Sequence, residues 1–340
     1  MNVAGELHLY PGRELPSIEG GRPDLPSRVA LGRPAGLVPT LLGALFTLCP
    51  MPHRVAAKAA LAAAAGRPMP PDRAARRALQ ASQAREQILR IAHDWLRQWP
   101  GLDERASAAG QRLLRDCPLW NSKLAIEEQL AALPRWVSEH WEPVIGPLLN
   151  PLQPRAERLA CPGASLNLLA DTATHLPRLA ALMAEAPGFC ARPDWQGQPL
   201  DTGPWSRHRG PLPAATAWQR LASRVADVGQ LVGPDGEDWL THGALPLADG
   251  EGVAWVEMAR GLLVHWVRLE PGNDPETRRV AAYRVLAPTE WNFHPGGSLA
   301  RALSTLHGAE TDADARVLAL AYDPCVNFSV HGGTRTARDA

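Results

Sequence analysis

Two short segments at opposite ends of the chain carry the residue types that bind transition metals. One is Leu48-Cys49-Pro50-Met51-Pro52-His53; the other is Asp323-Pro324-Cys325-Val326-Asn327-Phe328-Ser329-Val330-His331. Each joins a soft thiol to an imidazole a few residues on, the donor pair that suits a transition ion. Alone, each has an ordinary structural reading, since a cysteine beside proline usually packs as a small apolar residue and a histidine near a helix start usually caps or fills. Two further segments stand between them, Glu257-Met258-Ala259-Arg260-Gly261 before one β-prone run and Ala287-Pro288-Thr289-Glu290-Trp291-Asn292 after another. There is no Gly-rich phosphate loop, no G-x-S-x-G, no H-E-x-x-H and no C-x-x-C, so nucleotide, acyl-transfer, zinc-ribbon and thioredoxin chemistry find no support.

The elements that must bring these segments together follow from periodicity and punctuation. Residues 1–36 read as irregular, with one short strand near Glu6 to Tyr10. From Leu37 to about residue 232 the pattern is helical, with helices expected at 37–48, 53–65, 72–99, 103–116, 123–146, 165–185 and 215–232, and a long Pro-rich loop from Pro187 to Pro213. Val253 to Glu257, Leu262 to Glu270 and Arg279 to Leu286 are short, β-prone and bounded by Gly, Asn and Pro, which predicts a small antiparallel sheet. Short helices near 298–303 and 312–320 lead to the last motif. The fold class expected is α+β, predominantly α. One domain is expected over 1–340, because its two ends must meet for Cys49 and Cys325 to approach.

Composition bounds the function. The chain has 340 residues, with 35 basic against 35 acidic side chains, 45% hydrophobic residues, 33 prolines and 29 glycines. A neutral total gives no field to gather nucleic acid or anionic lipid, and no apolar run is long enough to cross a bilayer. Five cysteines without pairing patterns read as reduced thiols, and with no secretory signal a cytoplasmic location is expected. Cys117, Cys161 and Cys190 are assigned to packing. Trp195 and Trp205, in the Pro-rich loop, are candidate partner contacts.

Taken in order, the four motifs resemble the large subunit of [NiFe]-hydrogenases, which carries R-x-C-G-x-C-x-x-x-H, E-x-x-R-G, P-[ST]-T-W-N and D-P-C-x-x-C-x-x-H. Cys49 and His53 match the second cysteine and the histidine of the first; Glu257, Arg260 and Gly261 match the second. Pro288, Thr289, Trp291 and Asn292 match the third, and Asp323, Pro324, Cys325 and His331 the last. Phe46 stands where the first cysteine would be and Phe328 where the fourth would be, so half the nickel-binding thiolates are missing.

That pattern resembles the HupK/HoxV type of hydrogenase expression and formation protein. The resemblance implies a [NiFe]-hydrogenase large-subunit-like fold and a non-enzymatic maturation scaffold that holds an Fe(CN)2CO unit transiently, without nickel. Cys49 and Cys325 would be the metal donors, with His53, His331, Glu257, Arg260, Pro288 and Thr289 around the bound unit. Cys49 matches a cysteine that bridges nickel and iron in the enzymes, and Cys325 one that binds nickel alone, so the pair is not the family's bridging pair. Implied partners are the large-subunit precursor, a small HypC-like accessory chaperone and iron-assembly proteins, with no nucleic acid and no membrane insertion. The alternative is a metal-free module that shields the apo-subunit or accessory proteins by mimicking their fold. The tail after His331 is expected to remain uncleaved.

Overall fold

The computed structural model describes residues 5–186, 188–272 and 277–332, so the tail from 333 onward, expected to stay unprocessed, lies outside the described residues. Among the described residues there are seven strands, β1 (Glu6–Leu9), β2 (Ile18–Gly21), β3 (His242–Pro246), β4 (Glu251–Met258), β5 (Gly261–Leu269), β6 (Val280–Leu286) and β7 (Asn327–Val330). They form two sheets, an antiparallel one in the order β3-β4-β5-β6 and a three-stranded one in the order β2-β1-β7.

The larger sheet explains why its strands read as nearly unbroken apolar runs. Its side chains alternate between two cores, as period-2 geometry requires. Ala254, Val256 and Met258 face the main helical core, while Val253 and Trp255 face a second core with Leu176, Leu179 and Met183 of the helix Thr172–Glu185. The central strands β4 and β5, buried on both faces, have no place for an exposed polar stripe.

The helix Pro50–Ala64, which begins one residue after Cys49, packs on the main-core face. Its buried face is largely alanine, including Ala56, Ala57, Ala60 and Ala64, so its backbone comes very close to the sheet. A Cβ on Gly252 of β4 would lie 2.5 Å from the Ala60 carbonyl oxygen and 2.5 Å from the Ala64 amide nitrogen. Neither backbone atom can move without moving the helix. Gly252→Ala is therefore expected to destabilise the protein by about 1–3 kcal/mol through overpacking, measured by denaturant unfolding. A loss below a few tenths would show that the helix can shift freely.

The smaller sheet joins the two ends of the chain. β1 pairs in parallel with β7, with Leu7 opposite Phe328, and antiparallel with β2. The N-terminal stretch is therefore more ordered than its Gly and Pro content implies, holding two strands and the helix Leu25–Ala30. β2 and β7 are too short to show a period in sequence, and only their partners in β1 define them.

Two expected helices are interrupted by π-helical turns. Arg73–Leu89 runs into a π segment at Arg90–Trp95, and Ile126–Trp136 into one at Val137–Trp141. Residues 165–171 lie outside the expected helix, which starts at Thr172 after the cap Asp171. The Pro-rich loop contains the short helix Pro204–Arg209. In that loop Trp195 is buried against the second core with the Arg178 guanidinium over its ring, so it is no exposed contact, while Trp205 is half-buried and donates to the Leu212 carbonyl.

Candidate metal-binding site

Cys49 is the residue before the helix Pro50–Ala64, with Pro50 at the first helical position where its missing N–H costs nothing. It is buried, and burial together with the Glu86 carboxylate pushes its thiol up to about 12, against the pull of Arg260 and Arg22.

Cys325 comes into place from the other end. The helix Thr311–Tyr322 stops at Asp323, which takes a left-handed conformation (φ 50°), and Pro324 turns the chain toward Cys325. A non-glycine residue pays for that conformation and keeps it where its surroundings hold it. Three arginines hold Asp323, Arg224 at 2.8 Å, Arg260 at 3.2 Å and Arg90 at 3.3 Å. Burial alone would raise this carboxyl's pKa, but the three cations outweigh it and bring it down to about 2. Arg90 reaches Asp323 from the first residue of a π turn, a recurrent way of re-aiming a side chain at a functional site.

The Pro288–Asn292 turn supplies the neighbours of the Cys325 sulfur. Pro288 opens it, and the Thr289 hydroxyl donates to Cys325 Sγ at 3.0 Å. Glu290 pairs with Arg22 at 2.7 Å, and Arg22 Nη1 stands 3.9 Å from the same sulfur. Asn292 Oδ1 accepts the Thr202 N–H at 2.9 Å and ties the turn down. Arg22 follows β2, so the pairing of the small sheet delivers this cation to the thiol.

The two cysteines share one electrostatic environment. A charge on Cys325 disfavours one on Cys49, and Arg22 and Arg260 each feel both sulfurs. A cavity of about 1000 Å³ opens here, lined by Leu48, Pro50, Glu86, Arg90, Arg260 and Cys325 among others. Leu48 and Pro50, on either side of Cys49 in the chain, line it, while Cys49 itself is buried and is not among its lining residues. Arg260 is ion-paired with Glu86 as well as Asp323, and a guanidinium with five N–H donors keeps some for a ligand. Among the described residues, no group of three or more His, Cys, Asp or Glu side chains is placed to hold a metal ion.

Phe46, at the position of a missing cysteine, stacks flat on His53 with ring centroids 3.6 Å apart and 9° between planes, and Arg22 lies over the Phe46 ring at 5.1 Å. His53 Nδ1 meets His265 Nε2 at 3.0 Å, and His265 Nδ1 meets the Tyr283 hydroxyl at 2.7 Å. Burial drives His265 down to about 3, and burial with the neighbouring His265 and Arg22 drives His53 well below its usual value.

Both imidazoles are therefore neutral in the folded protein. Unfolded, they take up protons below about pH 6.5, so the folded state binds fewer protons in the window from there down to about 3. Stability is full above pH 6.5 and falls as the pH drops, by about 1.4 kcal/mol per pH unit for each histidine. We expect denaturant unfolding to show a loss on the order of 4 kcal/mol between pH 7 and pH 5, with His265→Gln halving the slope. A flat profile over that range would contradict the assignment.

Not every expected residue meets the cysteines. Glu257 does not pair with Arg260; its carboxylate takes Arg207 at 3.1 Å and the Thr241 N–H at 3.0 Å, in a network anchored on Asp227. In the E-x-x-R-G motif the β4–β5 turn sends the two side chains to different partners. His331 sits at the edge of the small sheet, 3.0 Å from both His8 Nδ1 and Ser329 Oγ and stacked on Tyr10, at the far end of β7 from Cys325. Arg22, Glu86, Arg90 and Tyr283 stand beside the motif residues without belonging to any motif, and His265 lies next to one without matching it. For Glu86 and Arg90 no local signal exists, and His265 is marked only by lying inside an apolar strand.

A scaffold that brings the first and last motifs together over a buried sheet defines the class: this is the fold of nickel-dependent hydrogenase large subunits. It resembles the Ni-Fe-Se hydrogenase of D. vulgaris Hildenborough at a TM-score of 0.58 with 15% identity, covering 91% of this chain and 92% of that one. An NAD+-reducing [NiFe]-hydrogenase gives a TM-score of 0.59 with 18% identity over 87% and 88%. The family model described as nickel-dependent hydrogenase matches residues 214–331. Within that class the chain belongs to the HoxV/HupK family of hydrogenase expression/formation proteins. It is 36% identical to HoxV of Cupriavidus necator over 96% of this chain and 95% of the relative, and 31% identical to HupK of Bradyrhizobium diazoefficiens over 91% and 90%.

Proposed function

We propose that this chain is a non-catalytic carrier in hydrogenase maturation, which holds an Fe(CN)2CO unit through Cys49 and Cys325 and passes it to the large-subunit precursor. The observation that carries this reading is that two cysteines share one electrostatic environment with two arginines, Arg22 and Arg260. A low-spin iron that brings three diatomic ligands needs only two or three more donors, and thiolates suit it. Cyanide ligands carry negative charge, and the arginines offer charge-assisted hydrogen bonds to them.

Nickel is a poor fit. The Phe46 ring fills the place of one missing thiolate and is packed on His53, so a second pair of soft donors is not available. Thr289 and Arg22 both point donors at Cys325 Sγ and so hold the sulfur in a fixed position for use as a ligand. Cys49, raised to about 12, must give up its proton to bind, so a bound iron leaves this side as a neutral thiol when the proton returns. That property suits a carrier. The partners of this reading are the precursor, a small HypC-like chaperone and the iron-assembly proteins, met in the cytoplasm.

Infrared spectroscopy of anaerobically isolated protein tests it. Cyanide and carbonyl stretching bands are expected, without stoichiometric nickel. Fresh protein that supports maturation yet shows no such bands would leave the metal-free shielding role, and bound nickel with hydrogen turnover would overturn both.

A further inference from the structure

The cavity that Cys325 lines differs in chemistry between its buried wall and its lip. Every carboxylate in its lining is already engaged: Glu86 with Arg260, Asp94 with Arg90 and His93, and Asp323 with Arg90, Arg224 and Arg260. Three further arginines in the lining, Arg54, Arg85 and Arg316, are exposed, and among the described residues none of them has a carboxylate partner. Arg85 is braced instead by the Leu119 carbonyl and lies over the Trp120 ring at 5.9 Å. The chain as a whole is neutral, so this surplus of positive charge is local.

Apolar surface is exposed at the same opening. Leu48 is 55% exposed and Ile126 38%, both in the cavity lining, and Trp120 stands exposed beneath Arg85. Single exposed apolar side chains are ordinary, but a group of them at one opening, rimmed by charge, marks an interaction surface. A nucleic-acid backbone or a flat anionic membrane would use the arginines and leave the apolar side chains of a concave mouth uncovered. The chain's own last residues have the wrong sign, since Arg335 and Arg338 outnumber Asp339 there. A protein face with carboxylates set around an apolar side chain satisfies both parts of the lip.

We propose that this lip is the docking surface for such an acidic-faced protein, and that a partner seated on it closes the cavity over the Cys325 sulfur. Resting on the carrier reading, the partner is a protein that gives or takes the iron unit, which then passes between the two in an enclosed space.

The test measures binding of the purified large-subunit precursor, and of the purified HypC-like chaperone, to the full-length protein. At least one is expected to bind, with an affinity that falls about tenfold between roughly 0.05 and 0.5 M salt. Changing Arg54→Glu, Arg85→Glu and Arg316→Glu together is expected to weaken binding by about 30-fold or more, and Ile126→Asp by about tenfold. Arg112→Glu, at an exposed arginine outside the cavity, is expected to leave it unchanged. Arg316→Glu alone, expected to weaken binding about threefold, keeps the test decisive if the triple variant does not fold. Failure of both proteins to bind, or binding indifferent to the arginines, overturns the inference. So does a charge-dependent hold on phosphatidylglycerol vesicles that the triple change abolishes while the protein partner still binds. Charge-dependent docking in protein that never shows cyanide or carbonyl bands would sustain this inference while ending the carrier reading, and those bands with charge-independent docking would do the reverse.

Discussion

Protein in which Cys49 or Cys325 is replaced by serine is expected to lose the cyanide and carbonyl bands altogether, with iron retention down by at least about 100-fold. The magnitude follows from the small number of donors. With two thiolates, removing either takes away one of only two protein donors, and among the described residues no group of three or more His, Cys, Asp or Glu side chains is placed to take over. Serine is a poor substitute because its hydroxyl is hard, weakly acidic and unable to bind low-spin iron as a thiolate does. Both variants should fold, since Cys325 is only half-buried and Cys49 occupies a helix-start position that serine favours. Thr289→Val is an informative companion. It removes the 3.0 Å hydrogen bond to Cys325 while keeping shape, so weaker retention is expected without loss. Full band intensity in either cysteine variant would show that the iron is held elsewhere.

The largest stability effect is expected at Arg260. This side chain is buried between Glu86 and Asp323 and draws both toward ionisation; at Asp323 the arginines outweigh burial, while at Glu86 burial prevails and the carboxyl stays above its ordinary range even with Arg260 beside it. Arg260→Met leaves Asp323 with Arg224 and Arg90, but Glu86 loses its direct partner. Breaking a buried pair on one side costs about 3–5 kcal/mol, to be read from guanidinium unfolding. Replacing Glu86 by glutamine in the same chain should recover most of that loss, because an uncharged amide no longer needs the cation. If Arg260→Met cost less than about 1 kcal/mol, or the second change restored nothing, the network would not be carrying the buried charge.

Both predictions concern residues that differ in how visible they were. Cys49, Cys325 and Arg260 stand in motifs, and the structure puts them at one site. Thr289 was expected beside them and donates directly to the Cys325 sulfur. Glu86 and Arg90 were invisible because they sit in a long amphipathic helix whose charges look like any solvated face until the neighbouring chain buries them. Arg22 was invisible because it lies in a Gly- and Pro-rich stretch whose strands exist only by pairing with each other and with β7. Glu257 illustrates the converse: its motif spacing places it near Arg260 in sequence, but a β turn separates their side chains.

Residue types and apolar spacing are enough to set the helical and strand segments long enough to show a period, the pair of motif cysteines and the aromatic replacements that leave them alone. Those are local properties, set by side-chain type and by apolar spacing along the chain. Only the tertiary structure decided what surrounds the pair, because hydrogen bonds and ion pairs between residues 22 and 325, 86 and 260, or 53 and 265 come from the closing of the chain. Burial then turns those distant pairings into chemistry. It keeps Cys49 protonated at neutral pH, and it strengthens the pull of the three arginines that hold Asp323 ionised against it.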